Sequence, residues 1–126
     1  MKLKIILGTF IIGLSIFVTT NAEAPITVLP EPTATELVAF YFGKDAKRME
    51  QIFKCESGLR QFDTKGNVIM SYTRDFGLTQ INEKTWDKKA KEMGLDYKGS
   101  MIDNIKMAKH IYDVSGKNAW VCNRKV

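Results

Sequence analysis

The spacing of hydrophobic residues changes several times along this chain, and each change marks an element. A dense apolar block, Leu37 to Phe42, follows Thr33-Ala34-Thr35-Glu36. That prefix has capping-box spacing, with Thr33 as N-cap and Glu36 reaching back, so a short helix is expected, closed by Gly43 as a left-handed C-cap. Met49, Ile52, Phe53 and Glu56 then fall at i, i+3, i+4 and i+7, the core-facing stripe of an amphipathic helix. This second helix is predicted over Ala46 to Cys55, with Asp45 as its cap, and delivers Glu56 just before the stop at Ser57-Gly58.

Between Leu59 and Arg74 the helical period lapses. Asp63-Thr64-Lys65-Gly66-Asn67 is a turn signal, and Val68 to Tyr72 has the branched and aromatic content of a strand, so a small antiparallel hairpin is expected there. A lone hairpin is marginal in water and must lean on the helices, forming one wall of a groove beside Glu56. Glu83 to Met93 returns to helical spacing with Trp86, Ala90 and Met93 facing inward and Gly94 as the stop. Ser100 and Asp103 make a second capping signature. Beyond it Met101, Ile102, Ile105, Ala108, Ile111 and Tyr112 hold one face until Gly116, while His110 lies off that stripe and reads as exposed. The tail Asn118 to Cys122 is too apolar to dangle.

The first residues do not belong to this pattern. Lys2 and Lys4 precede an apolar run from Ile5 to Val18, and Ala22-Glu23-Ala24 supplies a small-x-small cleavage site. Residues 1–24 therefore read as a signal peptide, the run falling short of the roughly 18 residues that span a bilayer. Residues 25–32 hold all three prolines and read as an extended leader, leaving 33–126 as one domain of the α+β class, mainly helical. Export changes the meaning of the cysteines. Outside the cytoplasm Cys55 and Cys122 can stay oxidised, and two cysteines allow one intramolecular pairing. On the loop-entropy model such a crosslink constrains the unfolded chain by roughly 4 kcal/mol. Two cysteines and the distant His110 do not make a zinc constellation, and no metal or organic cofactor is implied.

The chain carries 19 Lys and Arg against 14 Asp and Glu, a net charge of +5. A basic domain can bind nucleic acid. For an exported one an anionic cell wall is the better partner, and most of these lysines need none, since a charged surface keeps a domain soluble.

Glu56 is the position where chemistry enters, a carboxylate standing where the stripe calls for an apolar residue. Burial disfavours the charged form, so a glutamate placed there is expected to hold its proton to higher pH, as a general acid must. Glu56-Ser57-Gly58 and, across a hairpin-sized gap, Gly77-Leu78-Thr79-Gln80-Ile81-Asn82 together resemble the paired motifs of the lysozyme-like superfamily, with the soluble lytic transglycosylase branch nearest. The resemblance runs over roughly residues 40–122. It implies a lysozyme-like domain with the hairpin beside the active-site groove, acting on peptidoglycan glycan strands. After signal cleavage the domain is expected to be a monomer without stable membrane insertion. In that branch a single glutamate protonates the departing oxygen, the muramic acid acetamido group assists, and the same glutamate deprotonates the sugar 6-hydroxyl to give a 1,6-anhydro end.

Asp75 keeps a second route open. Asp75-Phe76-Gly77-Leu78-Thr79-Gln80-Ile81-Asn82 is also similar to the hairpin edge of animal-type lysozymes, whose first aspartate is the second carboxylate of a hydrolase. Of the other matched residues, Ser57 is expected to cap carbonyls at the helix end and orient Glu56, Gly77 to let backbone approach a sugar, and Gln80 and Asn82 to bind hydroxyl and acetamido groups, though either amide could equally cap a helix or bridge loops. Tyr112 and Trp120 are aromatic surfaces on which a sugar can pack, with core packing the first expectation at their spacing. The late Ala-Tyr-Asn segment of many transglycosylases stands here as Asn118-Ala119-Trp120. A wall-binding or inhibitory protein with the groove but without turnover is the reading from another class.

Overall fold

The computed structural model describes residues 22–126, so the basic and apolar parts of the predicted signal peptide lie outside the described residues. Ala22 to Glu31 run without regular structure and exposed. Four α-helices and a two-stranded antiparallel sheet follow: α1 Ala34–Phe42, α2 Ala46–Ser57, β1 Asp75–Phe76, β2 Ile81–Asn82, α3 Glu83–Glu92 and α4 Met101–Ser115. Two short 3-10 turns, Lys117–Ala119 and Val121–Arg124, end the chain. The fold is thus α+β with helix predominating.

The start of α1 is the predicted capping box. The Glu36 amide donates to Thr33 Oγ1 at 3.2 Å and the Thr33 amide to the Glu36 carboxylate at 2.7 Å. At the other end Gly43 has positive φ (52°) with ψ −119°, outside the left-handed helical region, because the chain continues through a 3-10 turn, Gly43–Asp45, into α2. That turn also displaces the expected Asp45 cap. Asp45 already has near-helical φ and ψ and makes no capping bond; its carboxylate accepts the Tyr112 hydroxyl at 2.7 Å.

The second helix buries the predicted stripe. Met49, Ile52 and Phe53 are fully buried, and α2 closes on Gly58 in the left-handed conformation, at the expected Ser57-Gly58 stop, with Glu56 in its last turn. Helix α1 packs on α2 and α4, bringing Val38, Phe42, Phe53, Ile105, Ala108 and Ile111 into one core. Edge-to-face ring contacts of Phe42 with Phe53 (5.6 Å) and Phe53 with Trp120 (5.4 Å) extend that core toward the tail.

The hairpin differs from the expectation. Val68–Tyr72 does not form a strand; it touches its neighbours at two isolated antiparallel bridges, Phe62 with Val68 and Met70 with Phe76. Regular pairing lies further on, Asp75 with Asn82 and Phe76 with Ile81. Val68 leans on the core, but Tyr72 is 97% and Met70 51% exposed, so much of the apolar content that suggested a strand is left uncovered. The turn is correct: Asp63 Oδ1 accepts from the amides of Lys65 and Asn67.

Two inward assignments also change. α3 stops at Glu92, leaving Met93 in its C-cap and 42% exposed while Ala90 is buried. His110 is half-buried, not exposed, because its ring stands edge-on to Trp86 at 6.2 Å. Cys55 and Cys122 are bonded, 67 residues apart in sequence and 6.0 Å apart at Cα, which suits an oxidising compartment. No helix among the described residues is long and apolar enough to cross a membrane.

Candidate active site

The region behind the site is built from two amides that the hydrophobic pattern does not reveal. Asn104 lies on the buried face of α4 at 0% exposure, where an unpaired amide would cost several kcal/mol. All its bonding capacity is used. Nδ2 donates to the carbonyls of Phe76 (3.0 Å) and Tyr97 (2.9 Å), and Oδ1 accepts from the Thr79 amide (2.9 Å) and hydroxyl (2.8 Å). Gln61 completes the knot, donating to the carbonyls of Tyr97 and Lys98 and accepting from the Leu78 amide at 2.9 Å. Together they fix the turn between β1 and β2 onto the start of α4.

Gly77 is required by that knot. Its φ is +76°, and a Cβ there would lie 2.4 Å from Asn104 Nδ2 and 2.5 Å from Gln61 Oε1. Gly77 is therefore buried against protein amides and does not line the cleft, so its role differs from the expected approach to a sugar. Ser57 is likewise structural. It is buried, and its hydroxyl donates to the Leu78 carbonyl at 2.6 Å, tying the end of α2 to the same turn.

In front of this frame lies a cleft of about 140 Å³. Its polar lining is Glu56, Asp75, Gln80 and Asn82; its apolar lining is Ile81, Trp86, Ile111, Ala119, Trp120 and Val121. Four of the predicted site residues thus meet in one place although they come from three different segments. Tyr112 does not: its hydroxyl is spent on Asp45 and its ring packs on Phe42 at 5.5 Å, because a core aromatic at that corner closes α1 against α4.

Glu56 is half-buried on the cleft wall. Its Oε1 accepts the Cys122 backbone N–H at 3.0 Å, and among the described residues its other oxygen has no hydrogen-bond partner. Gln80 is similar, with Nε2 on the Gly77 carbonyl at 2.9 Å and its amide oxygen unbonded among the described residues. The Asp75 carboxylate is fully engaged: Oδ2 accepts the hydroxyls of Ser71 (2.7 Å) and Thr73, and Oδ1 accepts Asn82 Nδ2 at 2.8 Å. Burial works to raise its pKa, but the hydrogen bonds from Thr73, Ser71 and Asn82 outweigh it and hold the carboxyl below the usual aspartate range. Asn82 is divided between this contact and the N-cap of α3, where its oxygen accepts from the Thr85 amide.

Comparison with family models, with curated proteins and with solved structures finds no match for this chain. Trp86, Ile111, Ala119, Trp120 and Val121 are cleft residues that the sequence reading placed in the core or left unassigned, and the apolar tail was the available signal for three of them. Trp120 is buried with Nε1 donating to the Thr79 carbonyl at 2.8 Å, so it closes the cleft as a packed wall. No group of three or more His, Cys, Asp and Glu gathers among the described residues to hold a metal.

Chemically, the cleft offers one carboxyl group with a free oxygen, one carboxylate held ionised by its neighbours, and amides for a polar ligand, against tryptophan and aliphatic walls. Such a combination of apolar surface with a few convergent polar groups suits a sugar ring.

Proposed function

We propose that this protein is a secreted muramidase that cuts the β-1,4 bond between N-acetylmuramic acid and N-acetylglucosamine in peptidoglycan, acting as a lytic transglycosylase with a lysozyme-like domain. The observation that carries this reading is Glu56, set at the end of α2 on the wall of the cleft with one oxygen anchored by the Cys122 amide and the other unbonded.

The anchored carboxyl group protonates the departing glycosidic oxygen. As that bond breaks, the acetamido carbonyl of the muramic acid closes on the anomeric carbon and carries the positive charge. The Glu56 carboxylate then takes the proton of the sugar's 6-hydroxyl, whose oxygen attacks the anomeric carbon and displaces the acetamido group. The glutamate is protonated again and the product has a 1,6-anhydro end. Asp75, held ionised by its three donors, adds negative charge to the same cleft and steadies the developing cation.

A hydrolase reading is favoured by one observation, that Asp75 shares the cleft with Glu56. The full engagement of both its oxygens supports a holding role over a nucleophilic one.

The test is digestion of purified sacculi by the wild-type protein and by Glu56→Gln, followed by mass spectrometry. Anhydro muropeptides, lighter by one water than hydrolytic ones, are expected from the wild type and none from the variant. Release that survives the substitution overturns the enzyme reading. Binding of sacculi by both proteins with release by neither leaves the wall-binding alternative.

A further inference from the structure

We infer that the Cys55–Cys122 crosslink acts as a positioning device for the Glu56 carboxyl group, in addition to closing a long loop. The inference rests on the proposed role of Glu56 for its kinetic consequence, though not for its structural one.

Cys55 immediately precedes Glu56 on α2, and its sulfur is bonded to the residue whose backbone N–H donates to Glu56 Oε1 at 3.0 Å. Cys122 is therefore tied twice to the end of α2, covalently to Cys55 and through its amide to the adjacent Glu56. A glutamate side chain has three rotatable torsions, and a donor fixed at one oxygen selects the conformer that points the other oxygen into the cleft. Such a donor must itself be immobile. Cys122 sits in the short 3-10 turn Val121–Arg124, an element too brief to hold its own geometry.

Three anchors hold that turn in place. Upstream, Trp120 donates its indole N–H to the Thr79 carbonyl. Downstream, Arg48 of α2 forks its guanidinium to the Asn123 carbonyl at 2.6 Å and to the Val126 carbonyl. Between them stands the crosslink at Cys122. Among the described residues no ion pair to Glu56 substitutes for this arrangement. Asp75 is the other titratable group on the cleft lining, and no Lys, Arg or His lines it. The neutral amide of Cys122 is therefore what orients the acid, and Cys122 is a positioning residue.

The experiment compares wild type, Cys55→Ala/Cys122→Ala and Thr33→Ala, the last breaking the α1 capping box far from the cleft. Both variants are expected to lower Tm. Only the cysteine pair is expected to lower kcat, by about tenfold, the worth of one charge-assisted hydrogen bond, with KM within about twofold of wild type. Equal kcat for the two variants overturns the inference. If the cysteine pair does not fold, Arg48→Met, which loosens the same turn with the crosslink intact, takes its place, and unchanged kcat again overturns it.

A double-mutant cycle in Tm between Glu56→Ala and the cysteine pair (or Arg48→Met) needs no activity. Non-additive shifts support the coupling and additive ones refute it. Wild-type protein that releases no muropeptide would defeat the proposed function, while this cycle would still decide the positioning role.

Discussion

Two polar regions face each other across the turn Gly77–Gln80, and they are built on opposite rules. Behind it, Asn104 and Gln61 are buried amides with every donor and acceptor in use, most of their bonds linking segments distant in sequence. In front of it, Glu56 and Gln80 are half-buried, each with a single side-chain bond and an unbonded oxygen among the described residues. A fully satisfied polar network rigidifies a fold, since breaking any part leaves a buried group unpaired. A polar group anchored by one atom with space beside the other retains capacity for a ligand. The difference marks which polar residues hold this molecule together and which are available for chemistry.

The sharpest division is expected from Glu56→Gln, which preserves shape and removes the transferable proton. Muropeptide release should fall about 10²–10⁴-fold, while urea unfolding changes little. On the other side of the turn the pattern should invert. Asn104→Leu strips four bonds and leaves buried donors and acceptors unpaired, with an expected loss of about 3–5 kcal/mol in urea unfolding. Gly77→Ala combines a positive φ with overlap onto Asn104 and Gln61 and should cost about 3 kcal/mol.

Asp75→Asn probes the boundary between the two regions. As a scaffold and electrostatic neighbour its loss should slow release about tenfold or less, whereas a nucleophile's loss would exceed about 10³-fold. The folded Asp75 pKa lies below its unfolded value, so its stabilising contribution is fully present above the ordinary aspartate value of about 4 and is lost as pH falls through the depressed one. Glu83 behaves likewise: hydrogen bonds from Arg74 and then Lys98 pull it from 4.5 to about 2. Wild-type stability should therefore decline below about pH 4, and Asp75→Asn should flatten part of that slope, measured by urea midpoints across the acid range. The smallest effect is expected at Tyr112→Phe, which removes the bond to Asp45 at a cost of about 1 kcal/mol and should leave glycan cleavage unchanged, because the residue stands outside the cleft.

Local signals were readable where a residue acts on its near neighbours. Thr33 and Glu36 announced the capping box, Met49, Ile52 and Phe53 the buried stripe of α2, and Asp63 with Asn67 the turn. Val68–Tyr72 misled because strand propensity is a statement about covered surface, and here only its first residues are covered while Met70 and Tyr72 stand exposed. Ser57 caps carbonyls and Tyr112 packs on the core, as their positions suggested, while Gly77, expected beside a sugar, is instead packed against Asn104 and Gln61.

What this sequence determined alone is the set of short-range choices: helix starts and stops, the apolar stripe bearing Glu56, and a single possible cysteine pairing. Each depends on residues within a few turns of one another. Only the tertiary structure decided which polar groups are consumed. Asn104 reads as an ordinary polar residue on a helix until Phe76, Thr79 and Tyr97 are brought around it, and Glu56 has no fixed orientation until Cys122 arrives from the far end of the chain. Hydrogen bonds act over about 3 Å while their partners here lie many residues apart, so their pairing exists only once the chain has closed on itself.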